Sequence, residues 1–236
     1  MKTFKLTGFL SVLSVFALAL TSCEEFHGPD VTQNPELSGF EEIELSGDLQ
    51  VQISKGAFEV VLDGPLNDVS DYQFSISGDR LEGKYRHPNR THDQISISIT
   101  LPEITYIKMS GKGHTNITGF EDGGNRDMKI KLEGDQFFDA EVDCRDLELK
   151  TSGKNDIYLS GQCETADVKI SGKTDVEAFD FSIQDCDINL SGQNEVHVTV
   201  TAKLTGALSG KSKLVYDGNP AIVAVNVDGG SHINQK

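Results

Sequence analysis

Asp156, Asp175 and Glu195 occupy the same place in three short segments that otherwise align residue for residue. The segments are 152–159, 171–178 and 191–198, and each opens on Ser-Gly. Carboxylates repeated at that interval could form a column and offer oxygen ligands to Ca²⁺ or another cationic group. The competing reading is a solvated face, with Lys154, Lys173 and Lys211 beside the acids to offset their repulsion. A second group is basic. Arg80, Lys84, Arg86, His87, Arg90 and His92 crowd into one stretch around the turn residues Pro88 and Asn89. A basic loop tip could contact an acidic glycan or a carboxylated partner; the alternative is a polar loop that balances local charge. His87 and His92, five residues apart in a loop, do not have a diagnostic metal-ligand spacing. The candidate ligand contacts are therefore Arg80, Lys84, Arg86, Arg90, Asp156, Asp175 and Glu195, with no catalytic residue, metal ligand or cofactor assigned.

Carboxylates are abundant, but none sits in a recognisable hydrolase or lyase motif. The sequence contains no nucleophile elbow, phosphate loop or zinc signature. Cys144 and Cys163 each lie nine residues before a Ser-Gly glycine, so they are expected side by side. That proximity permits a disulfide, while side-chain direction in stacked parallel strands often opposes one. Small buried thiols are the other reading. With Cys186 the number is odd, so at least one thiol stays unpaired within the chain.

The elements that must position these residues are strands. Residues 49–53, 95–99 and 196–200 alternate apolar and polar side chains and are rich in β-branched residues, the pattern of half-buried strands. Helical spacing is nearly absent. The stronger signal is repetition. Ser-Gly recurs at 110–111, 152–153, 171–172, 191–192 and 209–210; Glu133-Gly134 fills the same slot and Gly229-Gly230 ends the series. The interval is about nineteen residues, enough for strand, turn, strand and return. One such coil cannot bury its own apolar face, but stacked coils can. The expected interior residues are Ile157 and Leu159, Val176 and Ala178, Val196 and Val198, and Leu214 and Tyr216. The expected fold is all-β: a single-domain right-handed parallel β-helix with coils of about nineteen residues. A left-handed hexapeptide helix fits less well, because no six-residue register appears. Residues 39–101 form a more irregular, strand-rich opening part, and 102–236 the regular coils.

The ends and the charge bound the setting. Lys2 and Lys5 precede an apolar run from Leu10 to Leu20, the length of a signal peptide rather than a membrane span. Leu20-Thr21-Ser22-Cys23 then resembles a bacterial lipobox. Residues 1–22 are expected to be removed, and Cys23 to carry two or three acyl chains, enough for stable anchoring. Residues 23–38 read as a lipidated, flexible tether before the domain at 39–236. The formal charge of −16 argues against nucleic acid and against an electrostatic grip on anionic lipid. Glu24 and Glu25, directly after the cysteine, are similar to surface-export signals of Bacteroidetes-type lipoproteins.

The order Phe40, Ile43, Leu45, Gly47, Leu49, Val51, Ile53, then Leu81, then Ile95 to Pro102, then Ile107, Met109, Gly111 and Gly113 resembles the head GIN domain of putative auto-transporter adhesins. The resemblance runs from about Gly39 to Asn234. It implies a pectin-lyase-like right-handed β-helix and a role in cell adhesion. Lys or Gln follows most of the glycines here, where the family favours Ser-Gly-Ser-Gly. The expectation is a non-catalytic cell-envelope lipoprotein, lipid-anchored at the outer membrane and surface-exposed or periplasm-facing, that binds a glycan or an envelope or matrix partner. The alternatives are a polysaccharide lyase or hydrolase on the same fold, and a structural envelope protein.

Overall fold

The structure is a computed structural model and describes residues 28–122 and 126–236. The signal segment and Cys23 lie outside the described residues. The described chain is all-β apart from one short helix, and its strands join in a mixed, mostly parallel sheet. In chain order the elements are β1 (Asp30–Gln33), β2 (Glu42–Lys55), β3 (Glu59–Pro65), α1 (Leu66–Asp71), β4 (Tyr72–Ser77) and β5 (Arg80–Tyr85). They continue with β6 (Ile95–Leu101), β7 (Tyr106–Phe120), β8 (Met128–Leu208), β9 (Lys213–Asp217), β10 (Ile222–Val227) and β11 (His232–Gln235).

Register follows from the alternation. β2 pairs in parallel with β7, and β7 with β8, so that Gly47, Gly111 and Gly134 lie directly opposite one another. β8 is extended over 81 residues. At about 3.3 Å per residue it would far exceed the size of a domain if it ran straight. Glycines with positive φ turn it, at 134, 153, 172 and 192 among others. A Cβ built on Gly153 would fall 2.2 Å from the Gly134 carbonyl oxygen, and one on Gly172 2.3 Å from that of Gly153. The glycines therefore lie backbone on backbone. The serines before them tie the layers together: Ser171 Oγ donates to the Thr151 carbonyl at 3.0 Å and Ser209 Oγ to the Leu190 carbonyl at 3.2 Å. These bonds reach the preceding repeat, a longer range than the local turn bond that serine offers in isolation.

The core is continuous along the sheet. Ile157, Leu159, Val176, Ala178, Val196, Val198 and Leu214 are all buried, as their parity requires, and Tyr216 packs partly buried against them. Each fully buried Ile, Leu or Val contributes roughly 1.5–3 kcal/mol against exposure. The same parity holds a second, polar set. Gln136, Asn155, Thr174, Asn194, Ser212 and Ser231 sit two residues after most of the column glycines (Ser231 follows the terminal Gly-Gly pair), and all are buried. Thr174 N–H donates to Asn194 Oδ1 at 3.1 Å, Asn194 Nδ2 to Ser212 Oγ at 3.2 Å, and Ser212 N–H to Ser231 Oγ at 3.1 Å. This file of side chains satisfies backbone groups at the corner, where buried donors would otherwise be orphaned.

The two ends of the sheet differ. At the N-terminal end β1 and β3 run antiparallel to their partners and cover β6. The antiparallel pair β4–β5 brings α1 beside the same end. At the other end β10 pairs in parallel with residues 203–208 of β8, and Ile222, Val223 and Val227 are exposed on it. Helix α1 was not anticipated. Six residues are too few to show a 3.6-residue period, and Pro65 before Leu66 reads equally well as a turn.

Candidate functional site

The basic cluster does not hold together. Arg80, at the start of β5, is drawn onto β2: its guanidinium pairs with Glu42 at 2.6 Å and Glu44 at 3.4 Å. It also lies over the Tyr106 ring, 4.4 Å from the centroid. Arg80 is thereby a cross-strand clamp on the face of β2 and β7. Lys84 is exposed, on a separate depression with Ser46, Gly47 and Pro88. Arg86 and Arg90 stay together on the connection from β5 to β6. They border a cleft of about 880 Å³ whose other wall is α1, through Asn67, Asp68 and Ser70.

Asp71 organises that cleft. The β4–β5 pairing sets Tyr72 opposite Tyr85, which puts Asp71 at the root of the loop. Arg86 N–H donates to the Asp71 carbonyl at 2.8 Å, and the Arg86 guanidinium to the Ser70 carbonyl at 3.2 Å. His87 Nδ1 lies 2.5 Å from Asp71 Oδ1 and His92 Nε2 3.1 Å from Oδ2; the His87 N–H also donates to Oδ2, at 3.1 Å. His92 stacks on Tyr85 with ring centroids 3.7 Å apart. Burial works to raise the Asp71 carboxyl, but the hydrogen bonds from His87 and His92 outweigh it and hold the group down at about 2. An ionised carboxylate only accepts, so both imidazoles turn an N–H toward it. Each histidine thus serves as a brace for the loop.

This geometry sets a pH dependence. Asp71 is ordinarily protonated below about 4. Its depressed value means that its contribution to stability is complete above pH 4 and is lost as pH falls toward 2. In urea titrations from pH 2 to 7, Asp71→Asn is expected to lower stability at neutral pH by about 1.5–3 kcal/mol, the range for hydrogen bonds to a charged group. It should also flatten the acid limb between pH 4 and 2. Parallel profiles for the two proteins would remove Asp71 from the acid response.

The acidic column is placed as its parity requires, on the outward side, with Asp175 and Glu195 exposed. It does not converge on a cation. Glu195 pairs with Lys213 at 2.6 Å and with His197 at 3.3 Å. The Lys213 hydrogen bond draws the Glu195 carboxyl below its ordinary value. Lys154 reaches sideways to Asp135 at 3.9 Å. Among the described residues no group of three or more His, Cys, Asp or Glu is disposed to hold a metal ion.

Aromatic side chains far apart in the sequence meet on the same outward side. His114 and Phe137 face each other in the β7–β8 register with centroids 4.4 Å apart, and Phe137 lies 5.2 Å from Tyr158. Further along, Phe179 stacks on His197 at 5.0 Å. Separations of about twenty residues hide these contacts from any short sequence window.

Cys144, Cys163 and Cys186 are free thiols and buried. A hydrogen bond with Cys144, together with burial, pushes the Cys163 thiol far up; burial, reinforced by the nearby Asp187 and Asp167, pushes Cys186 to about 12. Cys163 and Cys186 are protonated at neutral pH, and all three cysteines serve as small core residues.

The described chain is thus all-β, with a long outward sheet face and a polar cleft at one end. The chain belongs to the family described as putative auto-transporter adhesin, head GIN domain, whose model matches residues 39–220. Solved structures share the fold. A putative adhesin from Bacteroides fragilis NCTC 9343 superposes with a TM-score of 0.76 at 17% identity, over 88% of this chain and 97% of that one. A putative lipid binding protein from Parabacteroides distasonis ATCC 8503 gives 0.70 at 18% identity, over 89% and 97%. A putative adhesin from Parabacteroides merdae ATCC 43184 gives 0.63 at 18%, over 89% and 97%. No curated protein matches the chain.

Proposed function

We propose that the protein is a non-catalytic adhesin of the cell envelope, anchored in the outer membrane through acylated Cys23, that binds a glycan or an envelope or matrix partner. Family membership supports adhesion and a place at the envelope or surface. The backbone-on-backbone glycine column and the parallel register support winding as a right-handed parallel β-helix, with each repeat one coil.

The observation that carries the reading is the cleft between α1 and the 86–92 loop. Asp71 engages one ring nitrogen of each histidine and so fixes the loop. Arg86 and Arg90 remain on its rim as cations in an acidic protein. Arg86 and Arg90 offset Asp68 and Asp71 in the lining, so the arginine rim favours a carboxylated ligand more than the acidic surface around it does. The full chain in detergent micelles is expected to bind polygalacturonate in a glycan panel. Arg86→Glu with Arg90→Glu should weaken that binding about tenfold or more and make it insensitive to salt. Unchanged binding by the double variant would overturn the assignment of the cleft. Release of shortened oligosaccharide by the wild type would turn the reading to a carbohydrate-active enzyme.

A further inference from the structure

The geometry points to a second binding surface, on the outward face around His114, Phe137 and Tyr158, that takes a glycan strand without negative charge, with amine-bearing sugars favoured. The proposal shares with the adhesin reading only the premise that the ligand is a glycan; it concerns a different face and the opposite sign of charge.

Three observations carry it. The first is the row itself. His114, Phe137 and Tyr158 come from three successive repeats and lie ring beside ring at 4.4 and 5.2 Å, tilted by 45° and 31°. Tyr158 is 44% exposed, an uncommon setting for a large ring with a core available one residue away. Since alternate residues of a strand share a face, the parity that buries Phe138 and Ile157 leaves Phe137 and Tyr158 outside. Nothing in the folding of the repeat requires rings there: the matching outward positions in the next repeats are Asp175 and Glu177.

The second observation is what borders the row. Asn116 and Asp139 oppose each other beside it, with the Asn116 amide donating to the Asp139 carboxylate at 3.4 Å. Asp156 follows Phe137 by one repeat on the same side. Flat apolar faces with amide and carboxylate groups at their margins match a pyranose, which presents an apolar C–H face and a rim of hydroxyls that both donate and accept. The rings are amphipathic and already held by their strands, so little rotamer freedom is lost on binding.

The third observation is charge. At the outward positions one, three and five residues after the column glycines of these repeats, Asp135, Asp139, Asp156, Asp175 and Glu177 outnumber Lys112, Lys154 and Lys173, and Lys154 is engaged with Asp135. An acidic polysaccharide is repelled here. An ammonium group is attracted twice, by the carboxylates and by the negative faces of the rings. The row follows the stacking direction of the repeats, so a bound strand crosses the β-strands and meets one ring per repeat.

The test uses the full chain in detergent micelles and three probes: oligomers of glucosamine, oligomers of N-acetylglucosamine, and polygalacturonate. Glucosamine oligomers are expected to bind most tightly at low salt. Their advantage over the acetylated oligomers should shrink as salt screens the carboxylates. Phe137→Ala with Tyr158→Ala should weaken both by about tenfold or more, while Tyr158→Phe retains the ring and the binding. Thermal midpoints of the variants report whether the fold survives. Should the alanine pair unfold, Asp139→Asn with Glu177→Gln keeps the rings and should erase the preference for the amine. The proposal is overturned if glucosamine oligomers bind no better than N-acetylglucosamine oligomers at low salt, or if the alanine pair binds glucosamine oligomers as the wild type does. Polygalacturonate binding that depends on Arg86 and Arg90 and ignores Phe137 and Tyr158 would leave the cleft in place while this surface failed or held on its own evidence.

Discussion

Gly172→Ala lowers the thermal midpoint of unfolding by about 10 °C or more, which for a domain of this size corresponds to about 4 kcal/mol. Two costs combine. The residue has φ of +99°, in the region where a Cβ is strained. The new methyl would also lie 2.3 Å from the Gly153 carbonyl oxygen and 2.9 Å from the Gly153 nitrogen. Both are backbone atoms held in the parallel ladder, so neither can retreat as a side chain would. The next layer is equally close, since a Cβ on Gly192 would meet the Gly172 carbonyl at 2.2 Å. Gly78→Ala supplies the contrast. Gly78 also has positive φ, +62°, but has nothing within 4 Å of an added Cβ. It should cost about 1–2 kcal/mol, the conformational part alone. Chemical denaturation of the two variants separates the terms. Equal losses would mean that layer contact does not limit the column.

Asn194→Leu is the second large effect. Leucine is close to asparagine in size, so the change tests chemistry rather than volume. Asn194 accepts from the Thr174 N–H at 3.1 Å and donates to the Ser191 carbonyl at 2.9 Å and to Ser212 Oγ at 3.2 Å. Leucine removes the partner of the Thr174 N–H and of the Ser191 carbonyl, while Ser212 Oγ keeps its bond to the Ser209 carbonyl at 3.1 Å. At about 1–3 kcal/mol for each group left unsatisfied, the expected loss is about 3 kcal/mol or more. Asn155→Leu should cost less. Asn155 donates to the Ser152 carbonyl and to Thr174, but its Oδ1 finds no partner. A leucine variant at 194 as stable as the wild type would show that apolar packing can replace the polar file.

The apolar skeleton was legible because parity in a strand is local. Ile157, Val176 and Val196 declare their side of the sheet through their immediate neighbours. The inward polar file was visible as letters yet misplaced in meaning. Asn155, Thr174 and Asn194 follow Ser-Gly, and the residues that fill a buried corner are the ones that favour turns. Parity alone would have marked them as inward, since each lies two before a buried Ile or Val. The cleft was out of reach for another reason. Asp71 and His87 are sixteen residues apart, joined by the β4–β5 pairing, and no spacing rule links a helix end to a loop across a hairpin. Arg80 looked like a member of the loop cluster by proximity in sequence, but strand parity assigns it to Glu42 on β2. The aromatic row was hidden because its residue types differ: His114 and Phe137 share the offset of the acidic column, three after the glycine, but do not resemble it, and Tyr158 lies five after its glycine.

The glycine column also fixes the grain in which this protein can change length. A stretch running from just after one column glycine through the next, such as 154–172, contains one whole layer. Its removal or duplication returns the chain to the same corner with the same parity, and Gly153 would then take the contact that Gly172 makes. The intervals from Gly134 to Gly153, Gly172, Gly192 and Gly210 are 19, 19, 20 and 18 residues, so a repeat takes up a difference of one or two residues before the glycine restores parity. Removal or duplication of whole repeats therefore changes the number of glycine contacts in the column one at a time. Longer insertions are confined to the connections outside the column, and the 86–94 loop that carries the cleft is one of them.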